Sequence, residues 1–257
     1  MTLLRSSMLA VAVAACGTSD ASLSAAPRQI PAPPFSGTIF IDPDIITAAD
    51  PTTFQSLTAQ GEGLRTMYDR RANAFILVDA FLFNATFDDG LTAEVQVNPE
   101  FGLDSAPVQA LKYATVIGRL PKSLRKDVFT VWIHKGVNPF GGGNNNLLIH
   151  VGQAALYEND GILEETLVHE AAHTSLDATH AGSTGWIAAQ TADGTFISPY
   201  ARDNPTREDI AESFLPYLAA RYRSGRITQA LANTILRTIP NRIAYFDALA
   251  LSMLPIQ

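Results

Sequence analysis

The sequence predicts an α+β fold, with a mixed β-sheet in the N-terminal half and helices in the C-terminal half. Two observations carry this. Short runs rich in Val, Ile, Phe and Trp, bounded by Asp, Asn, Gly and Pro, recur between residues 37 and 151. Beyond residue 160, apolar residues fall at helical spacing around helix start and stop signals, and no internal repeat is present.

Residues 37–41 read as a short strand, ended by Asp42-Pro43-Asp44. Asp42, Asp44 and Asp50 would suit calcium, but Asx-turns and caps are the commoner use of such aspartates. Residues 73–87 are rich in Phe, Val, Ile and Leu, turn at Asp88-Asp89-Gly90, and return through the alternating residues 91–97, which describes a β-hairpin. Residues 106–120 place Val108, Leu111, Ala114, Val116 and Ile117 at helical spacing and stop before Pro121. Residues 127–134 read as a buried strand, 136–146 as a Gly- and Asn-rich loop, and 147–151 as a second apolar strand. The loop has no Lys-Ser/Thr ending and opens no helix, which argues against phosphate binding. His134 and His150, within the strands, read as hydrogen-bonded structural residues.

Asp160 is placed to cap a helix running through Ile162, Leu163, Thr166 and Leu167, with Glu164 and Glu165 as a charged face. Residues 180–198, with Gly182, Gly185 and Gly194, read as loop. Asn204-Pro205 reads as a cap followed by proline at the first helical position, and Thr206-x-x-Asp209 as a capping box. That helix continues through Glu208, Ile210, Ala211, Phe214 and Leu215 until Pro216 kinks or restarts it. Helices at 227–239 and 241–252 close the domain, with Tyr217, Tyr222 and Tyr245 in the core.

The chain has 257 residues, 47% hydrophobic and 17% charged, which suits one sizeable core. A formal net charge of -7 with scattered Lys and Arg argues against nucleic acid or anionic lipid headgroups as partners. No segment has the about eighteen apolar residues of a membrane-spanning helix. Residues 1–15, with Arg5 and an apolar stretch from Met8, read as a signal peptide. The single cysteine, Cys16, follows directly, and Val13-Ala14-Ala15-Cys16 resembles the lipobox of bacterial lipoproteins. That resemblance implies lipidation of Cys16 and a place in the cell envelope, in the outer membrane of a Gram-negative source given Gly17. Membrane contact would then be through the anchor alone. Val13 and Ala15 also permit ordinary cleavage and a secreted product. Residues 16–34 form a Pro/Ser/Ala-rich tether, and a single domain spans 35–257.

The chemistry concentrates in His169-Glu170-Ala171-Ala172-His173. On a helix, residues four apart share a face, so both imidazoles meet at one spot, which suits Zn²⁺. The intervening Glu170 is placed to act as general base on a water at the metal. The third ligand is open. In the H-E-x-x-H-x-x-G-x-x-H pattern of metzincins, the glycine position is Leu176 and the last histidine position is Thr179; His180 comes one residue late, about 100° around a helix. No Gly-Thr-x-x-Asp follows, since Gly194-Thr195 leads to Ser198. A glutamate from a second helix remains, and Glu208 and Glu212 lie four apart.

Glu208-Asp209-Ile210-Ala211-Glu212-Ser213-Phe214, read as E-x-x-A-E-x-F after H-E-x-x-H, resembles the catalytic domain of the anthrax lethal factor family of gluzincin zinc metallopeptidases. The resemblance covers residues 160–215; residues 35–150 carry no motif. It implies a zincin-like domain holding one Zn²⁺ through His169, His173 and Glu208, with Glu212 orienting a histidine ligand. It further implies that Tyr200 stabilises the oxyanion, at a spacing one residue longer than the family's, with His180 nearby. Asp177 matches an aspartate recurring four residues after H-E-x-x-H. The implied substrate is a peptide or protein, and residues 147–150 are the candidate strand on which its backbone lies. Two other readings stay open: a surface-anchored binding or structural lipoprotein whose metal staples helices, and a zinc hydrolase of a non-peptide amide.

Overall fold

A computed structural model describes residues 31–36 and 43–256. The signal peptide, Cys16, the tether up to residue 30, and the strand at 37–41 with Asp42 lie outside the described residues. No helix among the described residues is long and apolar enough to cross a membrane.

The expected α+β class holds. Six strands form one mixed sheet: β1 (Phe54–Asp69), β2 (Ala74–Phe87), β3 (Thr92–Val97), β4 (Thr130–His134), β5 (Gly141–Gly143) and β6 (Asn146–His150), in the order β1-β2-β3-β4-β6-β5. The first three are antiparallel, β3-β4 and β4-β6 are parallel, and β5 returns antiparallel along β6. Nine α-helices are present among the described residues: α1 (Gly102–Ile117), α2 (Lys122–Arg125), α3 (Val151–Asn159), α4 (Leu163–Leu176), α5 (Thr184–Asp193), α6 (Pro199–Asp203), α7 (Asp209–Tyr222), α8 (Gln229–Thr238) and α9 (Pro240–Ala248). One core unites the inner sheet face, through Val95, Val131, Ile133, Leu147 and Ile149, with α1, α4, α7 and α9.

The β2-β3 hairpin turns where expected, with Gly90 at φ +82°. Its partner β1 carries no apolar alternation and is largely solvent-facing over its first half. The β1-β2 pair also overruns β3, which covers only Phe81 to Thr86 of β2. The free end therefore reaches across neighbouring strands: Phe75 packs edge-on to Trp132 of β4, and Arg70 Nη2 donates to the Phe140 carbonyl at 2.7 Å.

Several local expectations are corrected. α1 begins four residues early and contains Pro107. Asp160 ends α3, a helix the sequence reading leaves unassigned, and caps nothing in α4, whose start has no side-chain cap. Most of residues 177–193 is helical: a π-helical turn (Asp177–Ala181) precedes α5, which Ser183 caps and left-handed Gly194 ends. Gly185 stays inside α5 because a Cβ there would lie 2.9 Å from the Tyr245 ring. Asn204 ends α6, residues 205–208 form a turn, and α7 passes through Pro216 unbroken. Asp50 follows the commoner expectation for such aspartates: it accepts from the Thr47 amide at 2.7 Å and is paired with Arg226 and Arg223.

Glu164 and Glu165 are not a solvated face, because α4 is enclosed on almost every side. Glu164 pairs with Arg119 at 3.1 Å. Glu165 Oε1 accepts from the Ile46 amide at 2.9 Å, and burial pushes its pKa up to about 7.

His134 and His150 are buried and stack at 5.5 Å. Asn98 Nδ2 donates to His134 Nδ1, and His150 Nδ1 donates to the Lys135 carbonyl. Burial lowers the His134 pKa from 6.5 to about 4. The unfolded chain therefore takes up this proton first, so the contribution of neutral His134 is present above pH 6.5 and lost as pH falls toward 4. The stability gap between wild type and His134→Gln, measured by urea denaturation, should narrow over that range by up to about 3 kcal/mol. A constant gap would contradict the burial argument.

Candidate metal centre

Helix α4 is the axis of the site. Leu163, Leu167, Val168, Ala171, Ala172 and Leu176 bury it in the core, and its two histidines project one turn apart. The Nε2 atoms of His169 and His173 are 3.1 Å apart. Glu208, at the N-terminal boundary of α7, brings Oε2 to 3.1 Å from His173 Nε2 and 3.7 Å from His169 Nε2. These three residues form a group able to hold a metal ion. Ligand atoms at the about 2.0–2.2 Å distances of tetrahedral zinc lie about 3.3 Å from one another, so the observed spacings fit.

A carboxylate stands behind each histidine. Asp177 Oδ2 accepts from His173 Nδ1 at 2.8 Å. Glu212 Oε1 lies 3.7 Å from His169 Nδ1, and Ser198 Oγ donates to its other oxygen. Glu212 is fully buried, and burial pushes its pKa up to about 7. Burial also opposes charge on His173, but its hydrogen bonds to Asp177 and Glu208 win and raise its pKa to about 10. Glu208 resists burial in the same way, held far below the usual carboxylate range by His169, His173 and Arg207. This is a cluster of electron-rich groups converging on a point that favours a cation.

The centre opens into a cavity of about 570 Å³ that also exposes Glu170, Tyr200, Arg207 and Arg70. Burial and the neighbouring Glu208 carboxylate push the Tyr200 pKa up. His180 does not line this cavity; its Nδ1 meets the Tyr245 hydroxyl at 2.8 Å, which removes it as a second donor in the cleft.

The opposite wall is β5. A Cβ on Gly142 would collide with the Glu170 backbone, so glycine alone lets this strand lie on α4. Thr174 Oγ1 accepts from the Gly143 amide at 2.8 Å and donates to the Asn146 carbonyl at 2.9 Å, fixing both strands to the helix. This corrects the expected substrate strand. Residues 147–150 belong to β6, which pairs with β4 along its length and with β5 from Asn146 to Leu148, so the sheet edge beside the site is β5.

The structure brings His169, His173, Glu208, Glu170, Tyr200, Asp177 and Glu212 together around one point. Arg70 and Arg207 were missed; Arg207 neighbours Glu208 in the chain, whereas Arg70 arrives from a distant turn. Comparison with known protein families, curated proteins and solved structures finds no match.

Proposed function

We propose that this protein is a zinc-dependent peptide hydrolase with a zincin-like, gluzincin-type site. The observation carrying this reading is the convergence of His169, His173 and Glu208 at ligand spacing beside Glu170 in an open cavity. Zinc, when bound, supplies Lewis-acid polarisation of a carbonyl and lowers the pKa of water.

The chain's own residues supply the rest. Asp177 and Glu212 orient His173 and His169 from behind, keeping Nε2 of each turned inward. Glu170, which is no part of the ligand group, takes a proton from the attacking water and delivers it to the leaving amine. Tyr200 brings a hydroxyl donor toward the developing oxyanion. Strand β5 pairs only with β6 among the described strands, and its other edge offers backbone groups to an extended peptide, with Gly142 seating that peptide beside Glu170. The proposed address outside the cytoplasm, secreted or lipid-anchored, rests on residues 1–16.

Digestion of a broad peptide library by zinc-loaded protein tests the reading. Cleavage should vanish with a chelator and return with zinc. Stoichiometric zinc without cleavage of any peptide would favour a structural staple between α4 and α7, or a non-peptide amide as substrate.

A further inference from the structure

The cavity holds a cation that the proposed chemistry does not use. Among the described residues, Arg70 and Arg237 are the arginines without a carboxylate partner; Arg65, Arg71, Arg119, Arg125, Arg202, Arg207, Arg221, Arg223, Arg226 and Arg242 are all ion-paired. Arg237 lies on α8, away from the site, whereas Arg70 lines the cavity of the metal centre. The other arginine there, Arg207, is engaged with Glu208 Oε1 at 2.8 Å. Arg70 is exposed at the cavity wall, so its guanidinium is accessible and free to pair with an anion supplied from outside.

Arg70 is also held in place. Its neighbour Arg71 anchors the β1-β2 turn through Asp69 at 2.7 Å and Glu100 at 2.8 Å. Arg70 itself donates from Nη2 to the Phe140 carbonyl, just ahead of β5. A Cβ on Gly141 would lie 3.1 Å from that nitrogen, and the next residue, Gly142, lies on Glu170. Strand positions advance by about 3.3 Å, so the guanidinium stands one or two residue steps along β5 from the point where that strand meets the Glu170 backbone, in the cavity that Glu170 also lines. A forked, permanently charged donor at that distance matches a carboxylate.

We propose that Arg70 selects substrates bearing a carboxylate within a residue or two of the scissile bond. This rests on the hydrolase reading above. The carboxylate is either the chain terminus or an Asp or Glu side chain.

Binding tests it without turnover. Four fluorescent pentapeptides, with Glu or Gln at the centre and a free or amidated C-terminus, are titrated into zinc-loaded Glu170→Gln protein. The carboxylate member of at least one pair should bind about tenfold more tightly than its neutral counterpart, and the pair that differs identifies the source. Adding Arg70→Ala should erase the difference, and Arg70→Lys should keep part of it. Equal binding of all four, no binding of any, or a preference that survives Arg70→Ala would overturn the proposal. Failure of the hydrolase reading would appear separately, as absence of cleavage by the wild type.

Discussion

Glu170→Gln should retain one zinc per chain yet lose about a thousandfold in the rate of peptide cleavage. Glutamine keeps the shape of the side chain but cannot accept and return a proton. The group able to hold a metal consists of His169, His173 and Glu208, without Glu170. The packing of this residue against Gly142 and Thr174 runs through its backbone, which the substitution leaves alone. Metal analysis and kcat on one cleaved peptide read the two halves of the expectation. Loss of zinc would make Glu170 a ligand, and an unchanged rate would remove it as the base.

Glu208→Ala and Glu212→Ala should separate in the opposite property. Glu208 supplies one of three ligand oxygens or nitrogens and carries the negative charge nearest both Nε2 atoms. Its loss should weaken zinc binding by well over a hundredfold. Glu212 touches the site only from behind His169, so its loss should cost about 10–100-fold, the range of outer-shell partners. Because Glu212 is fully buried and bonded to Ser198, Glu212→Gln serves as the milder companion. Competition with a chromophoric chelator ranks them. The reverse ranking would reassign the ligand.

These residues were legible because a helix fixes its own spacings. His169 and His173 share a face whatever surrounds them, as do Glu208 and Glu212 across the α7 boundary. What the sequence hid depends on distant partners. Glu164 and Glu165 look like a wet face until Arg119 and the Ile46 amide arrive to bury them. Three glycines in β5 have no side chains to alternate; their meaning lies in the approach of α4. β1 is polar and mostly exposed, and its turn to β2 contains no glycine or proline, so neither the strand nor Arg70 at its end announces itself. Asp160 and Asn204 show a further ambiguity: a polar residue between two helices can end the first instead of starting the second.

The central claim is a metal held between α4 and the start of α7. Anomalous diffraction at the zinc edge, from crystals of the zinc-loaded protein, tests it most directly. One strong peak bounded by His169 Nε2, His173 Nε2 and a Glu208 carboxylate oxygen is expected. A peak elsewhere, or none at this point, would contradict it.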